Sequence, residues 1–119
     1  MANVTQSLEA LLNIDGAMAG AIVDANSGMV LGKAGSGLDL DVAGAGNTEV
    51  MRAKLKTMKA LGLKDNIEDI LITLGKQYHI LRPMSEKPGV FAYLVLDKQK
   101  ANLALARLKT AEVESQLSL

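Results

Sequence analysis

Apolar residues along the chain recur at two different spacings, three to four residues apart in some stretches and two apart in others, and the changes of period mark out its elements. Between Asn3 and Asn13, Leu8, Leu11 and Leu12 fall at helical spacing, and Asn3 with Gln6 supplies a capping arrangement, which predicts a short first helix. Two apolar runs follow, Ala17 to Val23 and Met29 to Leu31, joined across Asn26, Ser27 and Gly28, residue types suited to a tight reversal. This is a hairpin. The small side chains of Ala17, Ala19, Gly20 and Ala21 let a helix lie close on its first strand. Gly32, Gly35 and Gly37 in "GKAGSG" have neither the dinucleotide nor the P-loop spacing and read as a loop.

The longest helical pattern runs from Asp41 to Leu61, with Asp39 or Asp41 as N-cap and Gly62 placed to end it. Its opening "VAGAGNT" is glycine-rich, so the regular helix is expected from Asn47 onward. Met51, Leu55 and Met58 form one stripe and Arg52, Lys56 and Lys59 another, giving an apolar inner face and a basic outer one. In "EDILITLGKQYHILRP" a third strand, Ile67 to Leu74, sets Ile70, Ile72 and Leu74 on one side and Ile67, Leu71 and Thr73 with Asp69 on the other. Gly75 and Lys76 turn it into a fourth strand, Gln77 to Met84. The fifth, "VFAYLVLD", is apolar on both faces and belongs inside the sheet. Asp97 is placed to cap a closing helix whose stripe is Ala101, Ala104, Leu105 and Leu108. The order α-β-β-α-β-β-β-α defines an α+β fold.

Composition narrows what such a fold is for. A chain of 119 residues closes one core, so residues 1–119 are expected to form a single domain. Thirteen basic and thirteen acidic residues leave no net charge, so neither a nucleic acid nor an anionic membrane has a global electrostatic handle. There is no cysteine, hence no disulfide framework and no thiolate metal site, which fits a reducing cytosol. "MANVTQSLEALLN" has no basic and apolar leader regions, and no window approaches a membrane span, so a cytoplasmic protein is expected.

His79 is the single histidine, too few for a two-histidine metal site, and no nucleophile and orienting acid stand at a useful spacing around it. It reads as a half-buried strand residue. Three aromatic residues leave few platforms for stacking bases or caging a cation. No catalytic set, metal or cofactor is expected, which leaves binding as the activity.

The stretches "IDGAMAGAIVDANSGMVLG", "EDILITLGKQYHILRP" and "FAYLVLDKQKANLALARLKTAE", in this order and spacing, resemble the Roadblock family, the dynein light chain Roadblock-type domain, in its bacterial MglB-like members. The resemblance runs from Leu8 to Glu114. It implies an antiparallel five-stranded sheet in the order 2-1-5-4-3, the middle helix on one face and the terminal helices on the other. It also implies a homodimer, with the third strand paired to its copy and the middle helices side by side, so that the interface draws on Met51, Leu55, Met58, Ile67, Asp69, Ile70, Leu71 and Ile72. Family members are platforms for Ras-like small GTPases, whose hydrolysis the MglB type promotes. The implied partner is therefore such a GTPase, met by Arg52, Lys56 and Lys59 on the outer face of the middle helix. The alternative is a small-molecule or signal-sensing module of profilin-like or PAS-like type, which requires a pocket.

Overall fold

The computed structural model describes residues 1–85 and 87–119. Helix α1 (Val4–Leu12) starts as the sequence predicts: Asn3 accepts from the Gln6 N–H, and the Gln6 side chain accepts from the Asn3 N–H, a reciprocal cap. Strands β1 (Ala17–Asp24) and β2 (Val30–Gly35) form the first hairpin, closed by Asp24, whose carboxylate accepts from the Asn26 N–H and the Ser27 hydroxyl. The "GKAGSG" stretch is therefore not simply a loop, since β2 continues through it to Gly35. Gly32 explains why: a Cβ there would strike Val4 and Leu8 of α1, so only glycine lets the helix rest on this strand.

Helix α2 (Leu40–Ala60) begins well before Asn47. Asp39 accepts from the N–H groups of Asp41 and Val42, and Gly44 sits against Val23 and Val30, so capping and packing outweigh the weak propensity of the glycines. The helix ends in a Schellman pair, Gly62 N–H to Lys59 C=O and Leu63 N–H to Met58 C=O, with Gly62 at φ +70°. Strand β3 is shorter than expected, Ile70–Thr73, and residues 67–69 lie outside it. Ile67 consequently turns to the same side as Ile70 and Ile72 instead of opposing them. Strands β4 (Gln77–Pro83) and β5 (Val90–Asp97) lead to α3 (Leu103–Gln116). The cap of α3 is Asn102, which accepts from the Leu105 N–H, while Asp97 instead closes the turn before it through the Gln99 N–H.

The sheet order is β2-β1-β5-β4-β3, every pair antiparallel. Residues of β5 alternate between two cores. Ala92, Leu94 and Leu96 join Leu8, Leu11 and Ala106 of α1 and α3. Phe91, Tyr93 and Val95 join Leu40 and Met51 of α2. Each large side chain removed from water here is worth about 1.5–3 kcal/mol, and β5 carries them on both faces. The inner face of α3 differs from the predicted stripe: Ala106, Thr110 and Glu114 are buried, whereas Ala104, Leu105 and Leu108 are exposed.

Candidate functional site

Two features of this frame are left uncovered among the described residues, the outer edge of β3 and the outward side of α2. Strand β3 ends the sheet, and its sequence Ile-Leu-Ile-Thr carries no charge, proline or bulge to discourage a further strand. Ile70 and Ile72 are half-buried beside the α2-side core, and Leu71 and Thr73 are exposed on the other face. Asp69, just before the strand, is bound by both Nε and Nη2 of Arg107 at 2.8 and 2.9 Å. This fork holds the entry to β3 against α3, and the ion pair keeps Arg107 above its ordinary pKa, first through the hydrogen bond and then through the charge of Asp69.

On α2, Met51 and Met58 are buried, but Leu55, between them in the stripe, is 49% exposed. Arg52, Lys56 and Lys59 all lie exposed on the outer side. They are not equivalent. The Arg52 guanidinium donates to the Asn26 carbonyl at 2.6 Å and reaches Glu49 at 3.4 Å, which ties it to the β1–β2 turn. Lys56 and Lys59 make no ion pair among the described residues.

Between these features lies an open cleft of about 580 Å³. Met51, Leu55, Ile67 and Phe91 give it apolar lining, and the connection Asp65–Glu68 passes along it. Arg82 and Glu114 also line it: the buried Glu114 carboxylate accepts from the Ser85 hydroxyl at 3.2 Å and lies 3.5 Å from Arg82 Nε. Among the described residues that Nε is buried without a well-aligned acceptor, so the two charges attract across the gap without a hydrogen bond.

His79 is half-buried, as its strand position predicts. Its Nδ1 lies 3.0 Å from the Tyr93 hydroxyl and its Nε2 lies 2.9 Å from Gln77 Oε1. The Gln77 amide nitrogen is turned to the Met18 sulfur, so Oε1 accepts from His79 Nε2–H and Nδ1 accepts from Tyr93. Burial lowers the His79 pKa and raises that of Tyr93, which keeps both neutral. No cluster of three or more His, Cys, Asp or Glu side chains that would hold a metal occurs among the described residues, and no helix among them is long and apolar enough to cross a membrane. The Arg107–Asp69 fork, the Arg82–Glu114–Ser85 group and the His79 chain were not anticipated from sequence. Their partners are separated by up to 38 residues, and no local spacing announces them.

The sequence matches no protein-family model and no curated protein. The fold, by contrast, matches solved structures over nearly its whole length. A Roadblock/LC7 domain from Streptomyces avermitilis aligns at a TM-score of 0.82 with 10% identity, over 96% of this chain and 93% of that one. MglB of Myxococcus xanthus aligns at 0.79 with 17% identity, over 93% and 90%. An MglB in a tetrameric arrangement aligns at 0.80 with 19% identity, over 93% and 82%. The chain has a Roadblock-type fold.

Proposed function

We propose that the protein is a non-catalytic homodimer that regulates or scaffolds a Ras-like small GTPase. The observation that carries the first half is the bare β3 edge, an aggregation hazard unless something pairs with it. A second copy is the simplest partner, because two-fold pairing covers the β3 edges of both protomers at once. Leu55 and the Ile70–Ile72 segment would make the contact, Met51 and Met58 would support it from within, and Asp69 would fix the strand through Arg107. The GTPase half rests on the family resemblance, together with the Roadblock-type fold shared with MglB structures.

Dimerisation would bring two α2 helices onto one surface, doubling Arg52, Lys56 and Lys59 into a basic platform for an acidic partner surface. The mechanism is then positioning: the platform holds the GTPase's own loops and contributes no nucleophile. Titration of the purified protein with the Ras-like GTPase of its own cell, in GDP and in a GTP analogue, tests this reading. Binding tighter in one nucleotide state is expected. Reversing Arg52, Lys56 and Lys59 to glutamate should weaken capture and its salt dependence without altering the dimer mass. Equal capture by both proteins in both states would overturn the assigned surface.

The cleft supports one other reading, a sensor of a small molecule, since its size suits a metabolite and its lining combines apolar side chains with the Arg82–Glu114 pair. A metabolite retained through purification, detected by mass spectrometry of the denatured protein, would favour it.

A further inference from the structure

Which residues of β3 would meet which in a paired sheet follows from the hydrogen bonds this chain already makes. Resting on the homodimer reading above, we propose that the two-fold axis passes through Ile72. Ile72 then faces its own copy, Ile70 faces the partner's Leu74, and Glu68 meets the partner's Lys76 at the tip of the β3–β4 turn.

The first step is backbone parity. The Leu74 N–H donates to the Gln77 C=O at 2.8 Å, which directs Leu74 toward β4. Along an antiparallel pair the direction alternates, so Ile72 and Ile70 also bond β4, and the N–H and C=O of Leu71 and Thr73 point outward. Among the described residues β3 has no second neighbouring strand to take them. Opposite residues in an antiparallel pair are either both bonded to each other or both not. Placing Leu71 against Ile72 would set outward groups against a residue that has none. The axis therefore passes through a residue and not between two.

Two residues centre so short a strand, Leu71 and Ile72. An axis through Leu71 sets Ile70 against Ile72, but it also places Leu74 opposite Glu68 and Lys76 opposite Asn66. An axis through Ile72 sets Ile72 against Ile72 on the α2 side and Ile70 against Leu74 on either side of it, and brings Glu68, just before the strand, toward Lys76 in the turn just after it at both ends. On the other side Leu71 meets Thr73, and Asp69, already held by Arg107, faces only Gly75. Apolar residues then meet apolar ones and opposite charges meet at the rim. Both Glu68 and Lys76 are exposed, and neither makes an ion pair among the described residues. The Lys76 carbonyl accepts from the Lys98 N–H at 3.0 Å, so the turn that presents this lysine is anchored to the segment just after β5.

The chain has no cysteine, so single-cysteine variants report the register cleanly. With the axis at Ile72, the two Ile72 Cα atoms form a non-bonded pair about 4.5 Å apart, within disulfide range. The two Leu71 Cα atoms are then roughly 8 Å apart, beyond it. Under mild oxidation Ile72→Cys should become a covalent dimer at least about tenfold faster than Leu71→Cys. Faster linking of Leu71→Cys overturns the register. Light scattering of the wild type separates the layers of the argument: one chain's mass sinks the homodimer reading itself, and a dimer in which neither variant links places the interface elsewhere. Charge reversal supplies an independent check. Glu68→Lys and Lys76→Glu should each raise the dimer Kd roughly tenfold, from two clashes per dimer, and the double variant should restore it. A double variant no tighter than the singles overturns the pairing of these two residues.

Discussion

The sheet has two edges, and they are built in opposite ways. Strand β2 carries a bulge at Leu31: Ile22 pairs with Gly32 but Val23 pairs with Val30, so the strand skips a residue and its faces exchange. Lys33 stands in its middle, bonded to Asp41 of α2 at 2.6 Å. Strand β3 has an unbroken register and four uncharged residues. A bulge and an inserted lysine are devices that discourage another strand from joining. Their presence on one edge and absence on the other leave β3 as the edge open to another strand.

Charge placed on each edge should break the comparison most sharply. Ile70→Asp sets a carboxylate in the proposed seam, at a cost of several kcal/mol per site, and is expected to give monomer or aggregate by light scattering. Leu31→Asp, on the bulged edge where the side chain is already 48% exposed, should leave mass and melting temperature unchanged. If both variants behave alike, the edges are not distinguished as argued.

A smaller contrast uses glycine. Gly32→Ala forces α1 away from β2 and should destabilise by about 1–3 kcal/mol in chemical denaturation. Gly75→Ala, at the β3–β4 turn with no atom near its Cβ and an ordinary φ, should change stability by less than about 0.5 kcal/mol.

The smallest effect concerns acid. Burial holds the His79 pKa below its ordinary 6.5, so the unfolded chain binds a proton more readily than the folded one. Stability is therefore complete above pH 6.5 and declines as pH falls from there through the lowered folded value. Melting temperatures taken between neutral and mildly acidic pH should show this decline in the wild type and a shallower one in His79→Asn. An equal slope in both would remove His79 from the account.

Periodicity made most of the fold legible. The reciprocal Asn3 cap, the two-faced β5 and the order of elements all follow from local residue types acting over one or two turns. The inner face of α3 was not legible, and the reason lies in particular partners. Thr110 is buried because its hydroxyl returns to the Ala106 carbonyl at 2.7 Å, and Glu114 because Arg82 and Ser85 await it. Their burial exchanges the expected face, leaving Leu105 and Leu108 outside. Likewise the exposed α2 residues were readable as a basic stripe, but not the capture of Arg52 by the Asn26 carbonyl across 26 positions. Helical spacing shows which residues share a side. It does not show which polar groups meet a partner there.

One contact made far from either edge bears on how the chain could be rewired. The Ala2 N–H donates to the Gln116 carbonyl and the Ser118 N–H to the Ala2 carbonyl, both at 2.7 Å, so the two ends of this stretch lie side by side. From residue 2 to residue 118 the backbone describes nearly a closed ring, and the order in which its elements are joined is separable from the architecture. A short linker from residue 119 to residue 1, with a new opening in the exposed segment Leu61–Asn66, would give a permuted domain with the same neighbours in space and a different order of synthesis. In such a chain β3 would emerge first and α2 last.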